Sequence, residues 1–232
     1  VYLLGLPQIY INDVFVKPLV SQNMLELEVN VENKTGKKAN ITLNGEIHEW
    51  LNQAGKDVNS APVPNWTLGE KALSVNPTKV VLPANESQTI TLQIPVTENT
   101  LKYWTPEHPN LYALTLSLND KKQSIDTKYE RFGWREWTLQ GTTQCLNGQP
   151  YALRGDSWHF MGIPQMTRRY AWAWFTAIKG MNGNAVRPHA QVYPRFYLDM
   201  TDEMGICVLN ETANWASDGG PKLDSEIFWN NS

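Results

Sequence analysis

Apolar and polar residues alternate over one short stretch after another in the first half of the chain. Leu25, Leu27, Val29 and Val31 are separated by Glu26, Glu28 and Asn30, which gives one oily and one wet face with period two. Asn33-Lys34-Thr35-Gly36 supplies turn chemistry, and Ile41 and Leu43 resume the alternation. Ile90, Leu92 and Ile94 repeat it, as do Leu114, Leu116 and Leu118, while Ile9 to Val16 and Lys122 to Arg131 read as outer strands. The stretch Asn52 to Asn76 has no clean period and carries Pro62, Pro64 and Gly69, so a long inter-strand loop is expected there. About seven short strands with no helical period among them predict an all-β immunoglobulin-like sandwich over residues 1–137.

The period then changes. Tyr151-Ala152-Leu153-Arg154 reads as a short strand after the turn Asn147-Gly148-Gln149-Pro150. Trp174, Ile178 and Met181 fall on one helical face together with Ala171, and Gly183 stops that helix. Asn184-Ala185-Val186-Arg187 reads as a second strand. Pro194 opens a second helix whose buried face is Phe196, Met200 and Met204 and which Gly205 ends. Ile206-Cys207-Val208-Leu209 is a third strand, apolar throughout as a covered parallel strand is. Alternating strands and helices predict a parallel sheet, with residues 138–232 as the first part, about three β/α units, of a TIM (β/α)8 barrel. An open doubly wound sheet is the alternative, but no Gly-rich phosphate loop follows the first strand.

Composition narrows the function. Lys and Arg number 20 against 23 Asp and Glu, a net charge of −3 with no basic stripe, so nucleic-acid binding lacks an electrostatic footing. No apolar run approaches the ~20 residues of a membrane helix. Cys145 and Cys207 make neither a disulfide framework nor, without His at ligand spacing, a zinc site, and no cofactor or metal is called for. Ten Trp, nine Tyr and six Phe suit a packed core and a carbohydrate partner equally.

Chemistry in parallel α/β folds gathers at the carboxyl ends of the strands. Three such ends carry polar groups here: Asp156, Trp158 and His159 after the first, Arg187 and His189 at the second, Asn210 and Glu211 at the third. Each has a plainer alternative. Arg187 and Glu211 also read as a buried ion pair, which is compatible with ligand contact, His159 as a core histidine, Asp156 as turn chemistry, and Trp158 and Trp215 as core. Trp172 and Trp174 read as packing.

The run Trp104-Thr105-Pro106-Glu107-His108-Pro109-Asn110-Leu111-Tyr112, followed by Phe132-Gly133-Trp134-Arg135-Glu136, resembles the signature closing the immunoglobulin-like domain of glycoside hydrolase family 2. That family includes β-galactosidases, β-glucuronidases and β-mannosidases. Asn147-Gly148-Gln149-Pro150 and Leu153-Arg154-Gly155 with His159 resemble the start of its barrel; Asn184 to Arg187, Pro194, Asp202-Glu203-Met204-Gly205 and Glu211 resemble its next two units. The resemblance implies a retaining exo-β-glycosidase with two glutamates about 5 Å apart, one acid/base and one nucleophile. It places the acid/base after an Asn on the fourth barrel strand and the nucleophile near the seventh. Asn210-Glu211 mimics that first dipeptide but ends the third strand, where the family has a supporting carboxylate, so neither catalytic glutamate is expected in 1–232. Many β-galactosidases of the family place a His three residues after the strand-two Arg. Here that position is Ala190, and His189 stands one residue earlier.

The chain opens Val1-Tyr2-Leu3-Leu4-Gly5 with no initiator Met or signal-peptide pattern and reads as a piece of a longer protein. The family's sugar-binding sandwich is expected ahead of Val1, and a periplasmic or extracellular place is what the resemblance suggests. A non-catalytic immunoglobulin-like carbohydrate-binding or spacer module is the competing class. Polar groups at three strand ends favour the enzyme, with a carbohydrate substrate and β-galactosidase as the commonest label.

Overall fold

The alternating stretches form strands β1 (Ile9–Leu19), β2 (Met24–Asn33), β3 (Ala39–Asn52), β4 (Trp66–Leu82), β5 (Ser87–Pro95), β6 (Leu111–Asp120) and β7 (Gln123–Phe132). This computed structural model describes residues 3–53, 66–121, 123–158, 162–189 and 192–211. Antiparallel pairing gives a three-stranded sheet in the order β1-β2-β5 and a four-stranded sheet in the order β4-β3-β6-β7. Leu25, Leu27, Val29 and Val31 of β2 and Leu114, Leu116 and Leu118 of β6 have no exposed surface, and they meet in one core between the sheets. Each such leucine or valine contributes about 1.5–3 kcal/mol by leaving water.

Residues 66–76 are strand, not the loop expected there; the remainder of that loop, 54–65, lies outside the described residues. β4 pairs with β3 through register shifts at Leu43/Gly45, Ile47/His48 and His48/Trp50. Every shift rephases the alternation, so apolar and polar residues mix on both faces and period two vanishes from the sequence.

Three short antiparallel strands follow, β8 (Trp137–Gln140), β9 (Thr143–Leu146) and β10 (Gln149–Pro150). Asn147 and Gly148 turn β9 into β10, both with positive φ (51° and 77°), the backbone that a tight hairpin needs. The chain divides into two compact units between Tyr151 and Ala152, so residues 138–151, which the sequence assigned to the second half, group with the two sheets.

The second unit holds β11 (Gly155–Trp158), α1 (Arg168–Gly180), β12 (Ala185–Pro188), α2 (Arg195–Met204) and β13 (Cys207–Val208), with the strands parallel in the order β11-β12-β13. Its first strand lies four residues later than the expected 151–154. The cause is Asn184, only 3% exposed, whose Oδ1 accepts from the Arg154 amide at 2.7 Å while its Nδ2 donates to the Ala152 carbonyl at 3.0 Å. A side chain thus satisfies the backbone that a ladder would otherwise pair. The strand begins at Gly155, where a Cβ would stand 2.3 Å from the Ala185 carbonyl oxygen, so only glycine permits this approach to β12.

Both helices bury faces rotated from those expected. In α1 the buried residues are Ala171, Phe175 and Ile178 with Arg168, while Met181 lies past the helix end and is exposed. Trp172 and Trp174 pack against the edge of this cluster, as expected of them. In α2 the buried residues are Tyr197, Met200 and Thr201; Phe196 and Met204 flank them, and Gly205 caps the helix.

Candidate functional site

The Arg187 guanidinium is the centre of the strand-end cluster. Its Nε donates to Glu211 Oε1, and its Nη1 donates to Ser157 Oγ at 3.2 Å. The parallel register explains the meeting. Ser157 pairs with Arg187 across β11 and β12, and Val186 pairs with Val208 across β12 and β13, so Glu211 lies just beyond the carboxyl end of the third strand. Both side chains of the ion pair keep access to water, at 41% and 28% exposure. That leaves the guanidinium room for a further anionic or hydroxyl partner.

Register also separates residues the sequence grouped together. Asp156 pairs with Val186, whose side chain belongs to the helix-side core, so alternation puts it on the face opposite Ser157 and Arg187. Either Asp156 or His159 is expected at the rim of the Arg187–Glu211 pair; Asp156 is not brought to it, and His159 lies outside the described residues. The Asp156 carboxylate instead accepts from the Ser157 amide at 2.8 Å, a local turn-like bond. Ser157 stands at the pair instead, between Asp156 and Trp158, the two neighbours that the sequence singled out. His189 is half-buried in the turn directly after β12, and exposed Asn210 precedes Glu211. Trp158 closes β11; His159, Ala190 and Trp215 lie outside the described residues.

Two further features escaped sequence reading. Arg168 of α1 and Glu203 of α2 pair at 3.1 Å with side chains only 8% and 3% exposed, a buried ion pair between helices. The same unit holds an aromatic cluster: Tyr193 and Tyr197 lie 5.3 Å apart, and Tyr197 meets Phe175 edge-on at 5.8 Å. Burial pushes both phenols well above the usual tyrosine range; for Tyr193 the charges of Tyr197 and Asp156 add smaller pushes the same way. Among the described residues no three His, Cys, Asp or Glu side chains gather where a metal would sit.

The signature residues in the first unit prove to be architectural. Trp104, 1% exposed, donates its amide to the Trp134 carbonyl at 2.9 Å and carries the Arg135 guanidinium on its ring at 4.2 Å. Gly133 packs on the same ring, where a Cβ would come within 2.9 Å of the tryptophan Cβ. Asn147 clamps this loop from the β9–β10 turn: its Nδ2 donates to the Trp104 carbonyl at 3.2 Å, and its Oδ1 accepts from the Glu136 amide at 2.9 Å. Glu136 in turn accepts from the Ser21 amide and hydroxyl. The Tyr151 hydroxyl donates to Glu107 at 2.8 Å.

Residues 9–135 match Glycosyl hydrolases family 2, and the chain belongs to that family. It is 35% identical over 115 residues, 47% of this chain and 11% of the other, to a Formosa agariphila protein provisionally named a β-glucuronidase. It is 24% identical over 217 residues, 91% of this chain, to the β-galactosidase of Priestia megaterium, of which it spans 20%. Among solved structures, a family 2 member from Bacteroides cellulosilyticus matches with a TM-score of 0.74 at 16% identity, covering 93% of this chain and 26% of that one. A β-glucuronidase of Bacteroides uniformis matches with a TM-score of 0.67 at 22% identity, over 90% and 24%. These likenesses show a shared fold, and the chain spans a fifth or less of the curated relatives above.

Proposed function

We propose that this chain is an internal part of a retaining exo-β-glycosidase that removes terminal β-linked sugars from oligo- or polysaccharides, with β-galactosides as its first candidate substrates. On this reading residues 1–137 hold an immunoglobulin-like sandwich, and a catalytic (β/α)8 barrel begins within residues 138–232, past the three short strands that group with the sheets. The acid/base and nucleophile glutamates then come from barrel strands outside 1–232. The observation that carries the proposal is the Arg187–Glu211 pair with Ser157, drawn from the carboxyl ends of three successive parallel strands. Such an arrangement fixes a carboxylate in one orientation and holds a cation beside it, which positions sugar hydroxyls and sets the field around a neighbouring catalytic carboxyl group.

The test uses the full-length protein with aryl β-galactoside, β-glucuronide and β-mannoside. Glu211→Gln keeps shape and should lower kcat at least about tenfold, or ~1.4 kcal/mol of transition-state stabilisation. Arg187→Ala should lower both kcat/KM and melting temperature, because a partly dry carboxylate loses its partner. The reading is withdrawn if Arg187→Ala leaves both unchanged. Turnover by the 232-residue chain itself, abolished by Glu211→Gln, would instead make Glu211 the acid/base.

A further inference from the structure

None of the strand-end residues lines a cavity that opens in the two-sheet unit, where the approach to β1 meets the β2–β3 and β6–β7 turns. Its volume, about 530 Å³, falls in the range of sites that enclose a small ligand. The floor is aliphatic, from Ile9, Ile41 and Ile125, and the rim carries Asn40, Lys38 and Lys121. Asp120 is the lining's one carboxylate, so the cations prevail.

Three observations make this more than an accidental hollow. Lys38 and Lys121 have no ion-pair partner among the described residues, as Lys37 and Lys79 also have none, so both stay available to an anion entering the cavity. Six described non-glycine residues have positive φ; five are asparagine, whose side chain compensates locally, and the sixth is Lys121 at 56°. The tight β6–β7 hairpin, with Asp120 paired to Gln123, sets this positive φ, and lysine meets it at a higher conformational cost than asparagine would. The wall bearing Lys38 is also fixed in advance. Buried Asn33 donates to the Lys37 and Pro83 carbonyls at 2.9 and 2.7 Å and accepts from the Thr35 amide and hydroxyl at 3.0 and 2.6 Å. Ligand binding therefore orders little that is not already ordered.

We propose that this cavity binds one acidic sugar unit of a polysaccharide, with Lys38 and Lys121 holding its carboxylate or sulfate. The isoleucine floor takes the C–H face of the ring, and Asn40 and Asp120 pair with ring hydroxyls. The choice of a sugar over another small anion rests on the glycosidase reading; the cavity and its two cations do not.

NMR titration of the 232-residue chain at low salt tests the proposal with three probes: trigalacturonate, a sulfated galactan trisaccharide and neutral galactotriose. At least one anionic probe should shift amides of the β2–β3 and β6–β7 turns saturably, with neutral galactotriose about fivefold weaker or worse. Tighter binding of trigalacturonate identifies carboxylate as the group recognised, and tighter binding of the sulfated probe identifies sulfate. Lys121→Asn installs the residue that suits this backbone, so melting temperature should hold or rise while affinity falls about three- to tenfold; Lys38→Gln should weaken binding similarly. Equal binding of the neutral probe, no saturable shifts with either anion, or full affinity in Lys121→Asn overturns the proposal. Aryl glycoside turnover does not enter this readout, so the glycosidase reading stands or falls separately.

Discussion

Replacing Asn33 by Ala tests whether a polar residue stabilises the apolar interior of the two-sheet unit. Asn33 is fully buried at the next inward position of β2 after Val31. Its Nδ2 shares two protons among three carbonyls, those of Lys37, Leu82 and Pro83, and its Oδ1 accepts two bonds from Thr35. Four bonds at about 1 kcal/mol each set an upper figure of ~4 kcal/mol. In the variant the single Thr35 hydroxyl proton, given to Asn33 in the wild type, turns to the Lys37 carbonyl 2.8 Å away, and solvent reaches part of the turn, so about 2–3 kcal/mol should be lost. Asn33→Asp should cost more, because an ionised carboxylate would face the same carbonyls without a proton to offer. Hydrogen exchange of β2 and β6 peptides reads this unit separately from the second, and Asn33→Ala should lower protection about 30- to 150-fold. A loss of twofold or less in both variants would refute the reasoning, since the turn would then hold without its buried amide.

Gly155→Ala should unzip β11 from β12, because the new methyl meets the Ala185 carbonyl oxygen; exchange protection of Ala185–Pro188 should collapse while β2 keeps its own. Arg168→Met should destabilise the second unit by about 3–5 kcal/mol by taking the guanidinium from the buried Glu203 carboxylate, and Arg168→Met with Glu203→Leu should recover most of that loss, measured by urea unfolding. If the single variant matches wild type, the pair is idle. In alkali, Tyr193 and Tyr197 remain neutral in the folded state while unfolded tyrosines ionise near pH ~10. Folded pKa values lie above unfolded ones, so stability is complete below about pH 10 and declines as pH rises beyond it; melting temperatures that stay level up to about pH 12 would contradict this.

Sequence pattern carried far in some places and failed for physical reasons in others. Leu25 to Val31 could be placed because β2 is a middle strand with one buried face, where period two is undisturbed. β4 was illegible because three register shifts scramble its alternation. The first parallel strand was misplaced because Asn184, thirty residues away, engages the backbone before it. Arg187 and Glu211 could be paired because parallel strands deliver their ends to one place. The Arg168–Glu203 pair had no such rule: two charges on separate helices give no periodic sign that they face inward. Asp156 failed by a single position, since alternation exchanges faces at every residue and Ser157 holds the right one.

The clamp at Asn147 also bears on how the molecule ages. Asn147-Gly148 is the dipeptide most prone to deamidation, in which the glycine amide nitrogen attacks the asparagine carboxamide and ammonia leaves. Here that carboxamide is engaged at both ends, by the Trp104 carbonyl and the Glu136 amide, and cannot turn toward its neighbour without breaking both bonds. The folded chain therefore shields this residue, and damage accumulates only in molecules that have opened. Once converted to aspartate or isoaspartate, residue 147 has no donor for the Trp104 carbonyl, and refolding meets a negative charge where an amide stood. One bond pair thus sets both the chemical lifetime of this loop and the irreversibility of its loss.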